Sequence, residues 1–93
     1  MIRSFASPET EKVWAGQRST KLPSEVQRAA RRKLRMLNNA SELFELRSPP
    51  NNRLEKLKGN LRGLYSIRVN DQWRIVFRWA AGDVHEVQIT DYH

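Results

Sequence analysis

The feature that most constrains the fold is a pair of alternating apolar and polar segments separated by Asn70-Asp71-Gln72. Their apolar positions are Tyr65, Ile67, Val69, Trp73, Ile75, Phe77 and Trp79. Because successive side chains of a strand point to opposite faces, this period of two predicts a hairpin with one buried face. Val87 and Ile89 repeat the alternation after Ala81-Gly82-Asp83, which predicts a further strand. The second half of the chain is therefore predicted to be a sheet with one buried and one polar, solvated face.

Two weaker signals precede the hairpin. Leu54 and Leu57 flank a short first strand, and Gly59 and Gly63 bracket the turn after it. Ahead of that strand, Ser48-Pro49-Pro50-Asn51-Asn52 predicts a loop, because proline lacks the backbone donor and restricts the residue before it.

The first half, to about Leu46, has a helical pattern after a short opening strand at Ile2 to Phe5. Ser7 suits the N-cap of a first helix and Pro8 its first position, while Gly16 predicts its end. Helices followed by strands predict an α+β fold in which the buried face of the sheet packs on the helices.

A second, longer helix is predicted from about Pro23 to Asn38. On a helical wheel its apolar arc comprises Val26, Ala29, Ala30, Leu34 and Leu37. The opposite arc carries Arg28, Arg31, Arg32 and Arg35. Lys33 falls inside the apolar arc and is expected to extend past it to solvent. A short helical turn that packs on the core is predicted at Leu43, Phe44 and Leu46.

Composition narrows the class of protein. Ninety-three residues, 39% hydrophobic and 29% charged, predict one folded domain spanning residues 1–93. No apolar run reaches the roughly 20 residues that cross a bilayer, and the N-terminus lacks the apolar core of a signal peptide. The absence of cysteine excludes disulfides and thiolate metal sites, which favours a cytoplasmic protein.

The chain carries 17 Lys and Arg against 10 Asp and Glu, a net charge of +7. Such a charge on a small domain favours a polyanionic partner, although an evenly spread solubility charge would give the same total. Four arginines on one helical face are more than solubility requires, which favours a binding surface for a polyanion, with a solvated basic face as the alternative.

Arg68, Arg74 and Arg78 share the polar face of the predicted sheet and are candidates to bind phosphate through their guanidinium groups. Cross-strand neighbours lie about 5 Å apart, so these groups are expected to converge. The alternative is that Asp71 and Glu86 pair with them.

An acid, a phenol and an imidazole end the chain at Asp91-Tyr92-His93. A histidine can be a general acid or base because its unperturbed pKa is about 6.5, which makes His93 a candidate; a frayed, idle terminus is the alternative. Strand parity places Tyr65, Trp73 and Trp79 in the core and Tyr92 on the Arg74 face. His85 is expected to be idle, and two histidines without cysteine predict no metal site.

The combination of Leu54-x-x-Leu57-Lys58-Gly59, the segment 65–77 and the terminal Asp91-Tyr92-His93 resembles the HigB-type toxins of the RelE/ParE superfamily over nearly the whole chain. The stretch from Ser48 to Gly59 is similar to the GraT branch. The resemblance implies two N-terminal helices packed on a twisted, mainly antiparallel sheet. It also implies an endoribonuclease that enters the ribosomal decoding site and cuts messenger RNA without a metal or other cofactor.

The resemblance also implies residue roles. His93 would be the acid or base, Arg74 the phosphate stabiliser and Lys58 a second positive charge. Asp91 would hold or tune the site, and Tyr92 would orient or stack on a base.

Glu55 is a departure from the family pattern, because some members have a catalytic histidine at this position. Glu55 could replace that histidine as a base, but a carboxylate near a phosphate is electrostatically unfavourable. The site is therefore expected to depend more heavily on His93.

The partners that the resemblance implies are the ribosome, messenger RNA and a helix-turn-helix antitoxin through which the complex would bind operator DNA. The basic helix would contact ribosomal RNA phosphates. Two alternatives remain open: a non-enzymatic ParE-like gyrase inhibitor, which shares the fold, and a passive RNA-binding module.

Overall fold

The computed structural model, which describes residues 1–91, confirms both helices. Helix α1 spans Pro8–Trp14 and helix α2 spans Ser24–Asn39. Ser7 caps α1, because its Oγ accepts a hydrogen bond from the Thr10 backbone N–H at 3.3 Å. Gly16 ends this region with a φ of 81°, a left-handed conformation that glycine adopts without steric cost. Within residues 1–91, no helix has both the length and the apolar surface that a bilayer crossing requires.

The sheet is a four-stranded antiparallel meander in the order β1-β2-β3-β4. Its strands are β1 (Glu55–Lys56), β2 (Leu64–Arg68), β3 (Trp73–Ala80) and β4 (Asp83–Asp91). The Asn70 side chain closes the β2–β3 turn, since its Oδ1 accepts the backbone N–H of Gln72 at 2.9 Å and of Trp73 at 2.8 Å. The predicted hairpin, the short first strand and the final strand are therefore confirmed.

The predicted opening strand at Ile2 to Phe5 joins this sheet at its two ends, through isolated bridges instead of a continuous ladder. Its isolated parallel bridges to β4 are Ile2–Val84 and Phe5–Val87. Between these bridges β4 bulges at Glu86, which has a φ of 54°. The Glu86 N–H donates to the Ser4 hydroxyl at 2.9 Å instead of to a backbone carbonyl. The bulge therefore interrupts the ladder, and residues 2–5 alone do not reveal it.

The core lies between α2 and one face of the sheet, as the periodicities predict. Its buried members include Val26, Ala30, Leu34 and Leu37 of α2 and Ile67, Ile75, Phe77 and Val87 of the sheet. α1 is tied to β4 by the buried Thr10 hydroxyl, which accepts the Ile89 backbone N–H at 2.9 Å. Because both helices cover the Ile75 face, the Arg74 side chain lies on the face of β3 turned away from them.

Two side chains of the helical half depart from prediction. The short turn forms as a 3-10 helix over Leu43–Arg47 and buries Leu46, but Phe44 is 64% exposed, because so short a turn presents one side to the core. Lys33 does not extend to solvent as expected. It is half-buried, its Nζ donates to Asn52 Oδ1, and burial lowers the pKa of its ammonium group.

The start of β4 carries an acid-sensitive contact. Asp83 lies 3.1 Å from Arg3 Nε and 3.4 Å from the N-terminal ammonium, and the Arg3 hydrogen bond lowers the pKa of the Asp83 carboxyl. This contact stabilises the fold above the unfolded pKa of about 3.9 and is lost as the pH falls through the lower folded pKa. We expect Asp83→Asn to lower the melting temperature more at about pH 7 than at about pH 2. Circular dichroism melts at both pH values test this, and an equal deficit at both would contradict it.

Candidate functional site

Arg74, the predicted phosphate stabiliser, is buried, with 7% of its surface exposed. Its Nε donates to Ser66 Oγ at 2.9 Å, and its Nη2 donates to the carbonyl oxygens of Arg53 at 2.6 Å and Ser66 at 3.3 Å. The chain segment that precedes β1 therefore covers the sheet here, and the prediction of a solvated face is wrong at this position. Backbone acceptors fix the guanidinium in one orientation.

Glu55 lies on β1, and its side chain is close to Arg74. β1 pairs Glu55 with Ser66, and the Glu55 Oε1 lies 3.8 Å from Arg74 Nη2. The Glu55 side chain is half exposed, so it is a carboxylate at the rim of the buried guanidinium. A rim acid offsets part of the positive charge that Arg74 would present to a phosphate.

Lys58 lies two residues beyond β1, exposed, at the N-cap of the short 3-10 helix Gly59–Leu61. Its carbonyl oxygen accepts the Leu61 N–H at 3.3 Å, so backbone contacts fix its Cα while the ammonium group is on the surface. Glu55 therefore lies in the strand that pairs with Ser66, and Lys58 lies in the turn that follows this strand.

Arg68 and Arg78 form ion pairs, as the alternative reading of these residues proposed. Arg68 is directly opposite Arg74 in the β2–β3 register, which confirms their predicted proximity. The Arg68 side chain nevertheless pairs with Asp71, and this hydrogen bond lowers the pKa of the Asp71 carboxyl. Arg78 pairs with Glu86 at 3.1 Å. Since Arg78 is four residues from Arg74 along β3, about 13 Å, it does not converge with the other two.

The terminal residues are only partly covered by the structure. Asp91 pairs in register with Trp73, which places it on the face opposite Arg74, and its Oδ2 accepts a hydrogen bond from Gln72 Nε2 at 2.9 Å. Tyr92 and His93 lie outside the described residues. The structure therefore brings together Arg74, Glu55 and Arg68, and it does not place Asp91 beside them.

A second basic surface lies on the outer side of the helices, between the end of α1 and α2. This groove has a volume of about 670 Å³ and is lined in part by Arg18, Arg28, Arg31, Arg32 and Arg35. The four predicted α2 arginines are all exposed, which confirms their position on the solvent face. We call this surface the arginine groove. Because α2 and the sheet separate it from Arg74, the molecule presents positive charge on two opposite sides.

Arg18 is the groove residue that sequence reasoning missed, because it lies in a loop where no periodicity signals its direction. Its Nη2 donates to Ser24 Oγ at 3.4 Å, which brings it to the start of α2. Arg31 lies against the end of α1: a Cβ added to Gly16 would be 3.1 Å from Arg31 Nη2. A glycine here therefore both permits the turn after α1 and leaves room for a guanidinium.

Within residues 1–91, no group of three or more histidine, aspartate or glutamate side chains is arranged to hold a metal ion. The chemistry available on the described surfaces is that of guanidinium, ammonium and carboxylate groups. Guanidinium and ammonium groups bind anions, and a carboxylate can accept a proton.

Comparison with known proteins gives one consistent result. Residues 3–93 match the family described as the RelE-like toxin of the type II toxin–antitoxin system HigB. The chain is 49% identical over 61 residues to Toxin HigB-1 of Vibrio cholerae, a match that covers 66% of this chain and 64% of that protein. It is 29% identical to Endoribonuclease HigB of Proteus vulgaris over 100% of both chains. A chain of the YoeB-YefM complex from Staphylococcus aureus shares its fold, with a TM-score of 0.60 at 24% identity over 100% of this chain and 98% of that one.

Proposed function

The chain belongs to the HigB-like toxins, RelE-like toxins of type II toxin–antitoxin systems, and from this premise we propose that it is a ribosome-dependent endoribonuclease that cleaves messenger RNA. The full-length similarity to Endoribonuclease HigB of Proteus vulgaris supports the activity. The observation that carries the proposal is the fixed guanidinium of Arg74, with Arg68 opposite it in the sheet. This arrangement is suited to a phosphate that gains charge during a reaction.

In the proposed reaction the 2′-hydroxyl of the messenger attacks the adjacent phosphorus. The 2′-O–P bond forms while the P–5′-O bond breaks, leaving a cyclic phosphate and a 5′-hydroxyl. A base accepts the 2′ proton, an acid protonates the 5′ oxygen, and cations stabilise the phosphorane between these events. Because the nucleophile belongs to the RNA itself, side chains alone suffice for these steps.

We assign the roles as follows. His93 transfers the proton, and Arg74 stabilises the phosphorane through its fixed guanidinium. Lys58 adds a mobile positive charge at the surface. Asp91 tunes the end of β4, where it already accepts a hydrogen bond from the adjoining turn, and Tyr92 orients or stacks on a base.

Glu55 has a separate assignment, because it contacts Arg74 at 3.8 Å. Its carboxylate partly neutralises the guanidinium before RNA binds and repels the phosphate afterwards. We propose that the site consequently relies on His93 for proton transfer and cleaves more slowly than a site with a second histidine.

The proposed partners follow from the family. An antitoxin neutralises the toxin, and we propose a helix-turn-helix protein through which the complex binds its operator DNA. The ribosome is the second partner. The arginine groove would contact backbone phosphates of ribosomal RNA, while the Arg74 face meets the messenger, so the toxin would be bound by RNA on two opposite sides.

Primer extension on a defined messenger tests the proposed function. Purified protein is added to a translation extract and, in parallel, to the same messenger without ribosomes. Codon-phased cuts that appear only with translating ribosomes are expected. If no cuts appear while cells that express the protein still stop growing, the nuclease proposal fails and gyrase inhibition is assayed next.

The arginine groove predicts how ribosome binding depends on salt. Arg31→Glu combined with Arg35→Glu should weaken ribosome association about tenfold at low salt and reduce the slope of log K against log salt by about two, because two phosphate contacts are lost. Filter binding to purified ribosomes at several salt concentrations measures both quantities.

The matched control reverses Lys12 and Lys21, two exposed cations outside the groove, and should leave the salt slope almost unchanged. If the Arg31/Arg35 variant binds like the wild type, the groove is a solvated basic face or serves the antitoxin.

A further inference from the structure

The loop that covers Arg74 is anchored by a buried amide. Asn52 ends the 3-10 turn Pro50–Asn52 and is fully buried. Its Nδ2 donates to the carbonyl oxygens of Leu46 at 3.1 Å and Ser48 at 3.2 Å, and its Oδ1 accepts from Lys33 Nζ. Every polar atom of this side chain therefore has a partner, and its contacts connect three separate parts of the chain.

The contact with Lys33 is the connection between this loop and α2. Lys33 is half-buried, and desolvation lowers the pKa of its ammonium group, with a further lowering from the Arg32 and Arg68 charges. A partly desolvated ammonium group needs an oxygen acceptor, and Asn52 Oδ1 provides one. Conversely, without Lys33 the Asn52 oxygen would be buried and would lose its charged donor. Each group therefore holds the other in place.

The next residue, Arg53, connects the anchored Asn52 to the Arg74 site. Its backbone has φ 45° and ψ 57°, a left-handed conformation that is uncommon for residues other than glycine. The surrounding contacts must offset the cost of that conformation. It directs the Arg53 carbonyl oxygen to Arg74 Nη2 at 2.6 Å. The buried amide and the carbonyl that orients Arg74 thus belong to adjacent residues.

We infer that Lys33 and Asn52 are positioning residues that act through the Arg53 carbonyl to fix the Arg74 guanidinium. The inference rests on the proposed catalytic role of Arg74. A guanidinium on a flexible stem stabilises a phosphorane only if its direction is set before the reaction, and an error of about 1 Å can cost about 100-fold in rate. The inference also explains why a lysine occupies the apolar arc of α2: its partner is the site loop rather than solvent.

The test is Lys33→Met, which retains the aliphatic stem and removes the donor to Asn52. With saturating protein on preassembled ribosomes, the single-turnover cleavage rate is expected to fall about tenfold. Ribosome affinity should match that of Lys21→Met, which removes the same charge from an exposed position. Lys33→Arg, which keeps a cationic donor, should restore most of the rate.

A double-mutant cycle with Arg74→Ala separates positioning from a general loss of structure. If Lys33 acts through Arg74, Lys33→Met should slow cleavage in the wild-type background but not in the Arg74→Ala background. An equal slowing in both backgrounds, or no slowing in either, overturns the inference alone. If Arg74→Ala itself leaves cleavage unchanged, Arg74 has no catalytic role, and both the proposed role and the inference are overturned. The Arg74→Ala rate therefore distinguishes the two failures.

Asn52→Asp is the second variant, for use if Lys33→Met melts below the assay temperature. It keeps the oxygen that accepts from Lys33 and loses the donor to the Leu46 and Ser48 carbonyls. The same pattern is expected: slower cleavage in the wild-type background and no further slowing with Arg74→Ala. Unchanged cleavage by Asn52→Asp would overturn the inference.

Discussion

Arg74→Ala is expected to lower the rate of messenger cleavage about 1000-fold while ribosome association stays close to that of the wild type. Removing one preorganised donor to a developing oxyanion typically costs about 100- to 1000-fold, and Arg74 combines such a donor with a full positive charge. Its orientation is fixed by Ser66 and by the Arg53 carbonyl, so little reorganisation is needed during the reaction. The effect should therefore fall on the chemical step.

Single-turnover primer extension on preassembled ribosomes, with saturating protein, measures that step directly. Arg47→Ala is the matched control, because it removes an exposed arginine from the helical half. Arg74→Ala also leaves buried acceptors without a donor, at a cost of about 1–3 kcal/mol, so thermal melts must show that the variant is folded at the assay temperature. A folded variant that cuts within about threefold of the wild type would exclude Arg74 from the reaction, since a catalytic donor contributes far more.

The parts of the fold that sequence predicted are those fixed by local periodicity. Leu34 and Leu37 share one side of α2 at helical spacing, and Ile75 and Phe77 share one face of β3 at strand spacing. Burying both sets requires α2 to lie on that face. The same two periods place the four α2 arginines and Arg74 on opposite sides of the molecule.

The features that sequence missed depend on contacts between distant segments. Alternation assigned Arg74 to a polar face, but the loop before β1 closes over it and Arg53 supplies a carbonyl from a left-handed conformation. Nothing in the local pattern signals that conformation. The local pattern also does not reveal the partner of Lys33, because Asn52 is 19 residues away. Nor does it reveal the bulge at Glu86, which separates the two N-terminal bridges.

The candidate site was predicted less completely than the fold for a related reason. Ser66 is a diagonal neighbour of Arg74 across the β2–β3 ladder, a relation visible only once the register is known. Asp91 was grouped with Arg74 from its place in the chain, whereas its register partner is Trp73 on the other face. Charge identifies candidate residues, but register decides which of them meet.

His93→Ala is expected to abolish detectable codon-phased cleavage, because a positioned acid or base typically contributes about 100- to 10,000-fold. Because the proposed step transfers a proton, wild-type cleavage is also expected to depend on pH.

His93→Gln is the matched control for shape and hydrogen bonding, because it retains a polar side chain but cannot exchange a proton near neutral pH. Both variants should bind ribosomes like the wild type and lose both cleavage and growth arrest. If His93→Ala loses cleavage yet still arrests growth, the toxicity has another target and gyrase inhibition becomes the stronger explanation. If both variants still cut at codon-phased positions, proton transfer belongs to another group. Glu55, the ionisable carboxylate 3.8 Å from Arg74, would then be the next residue to replace.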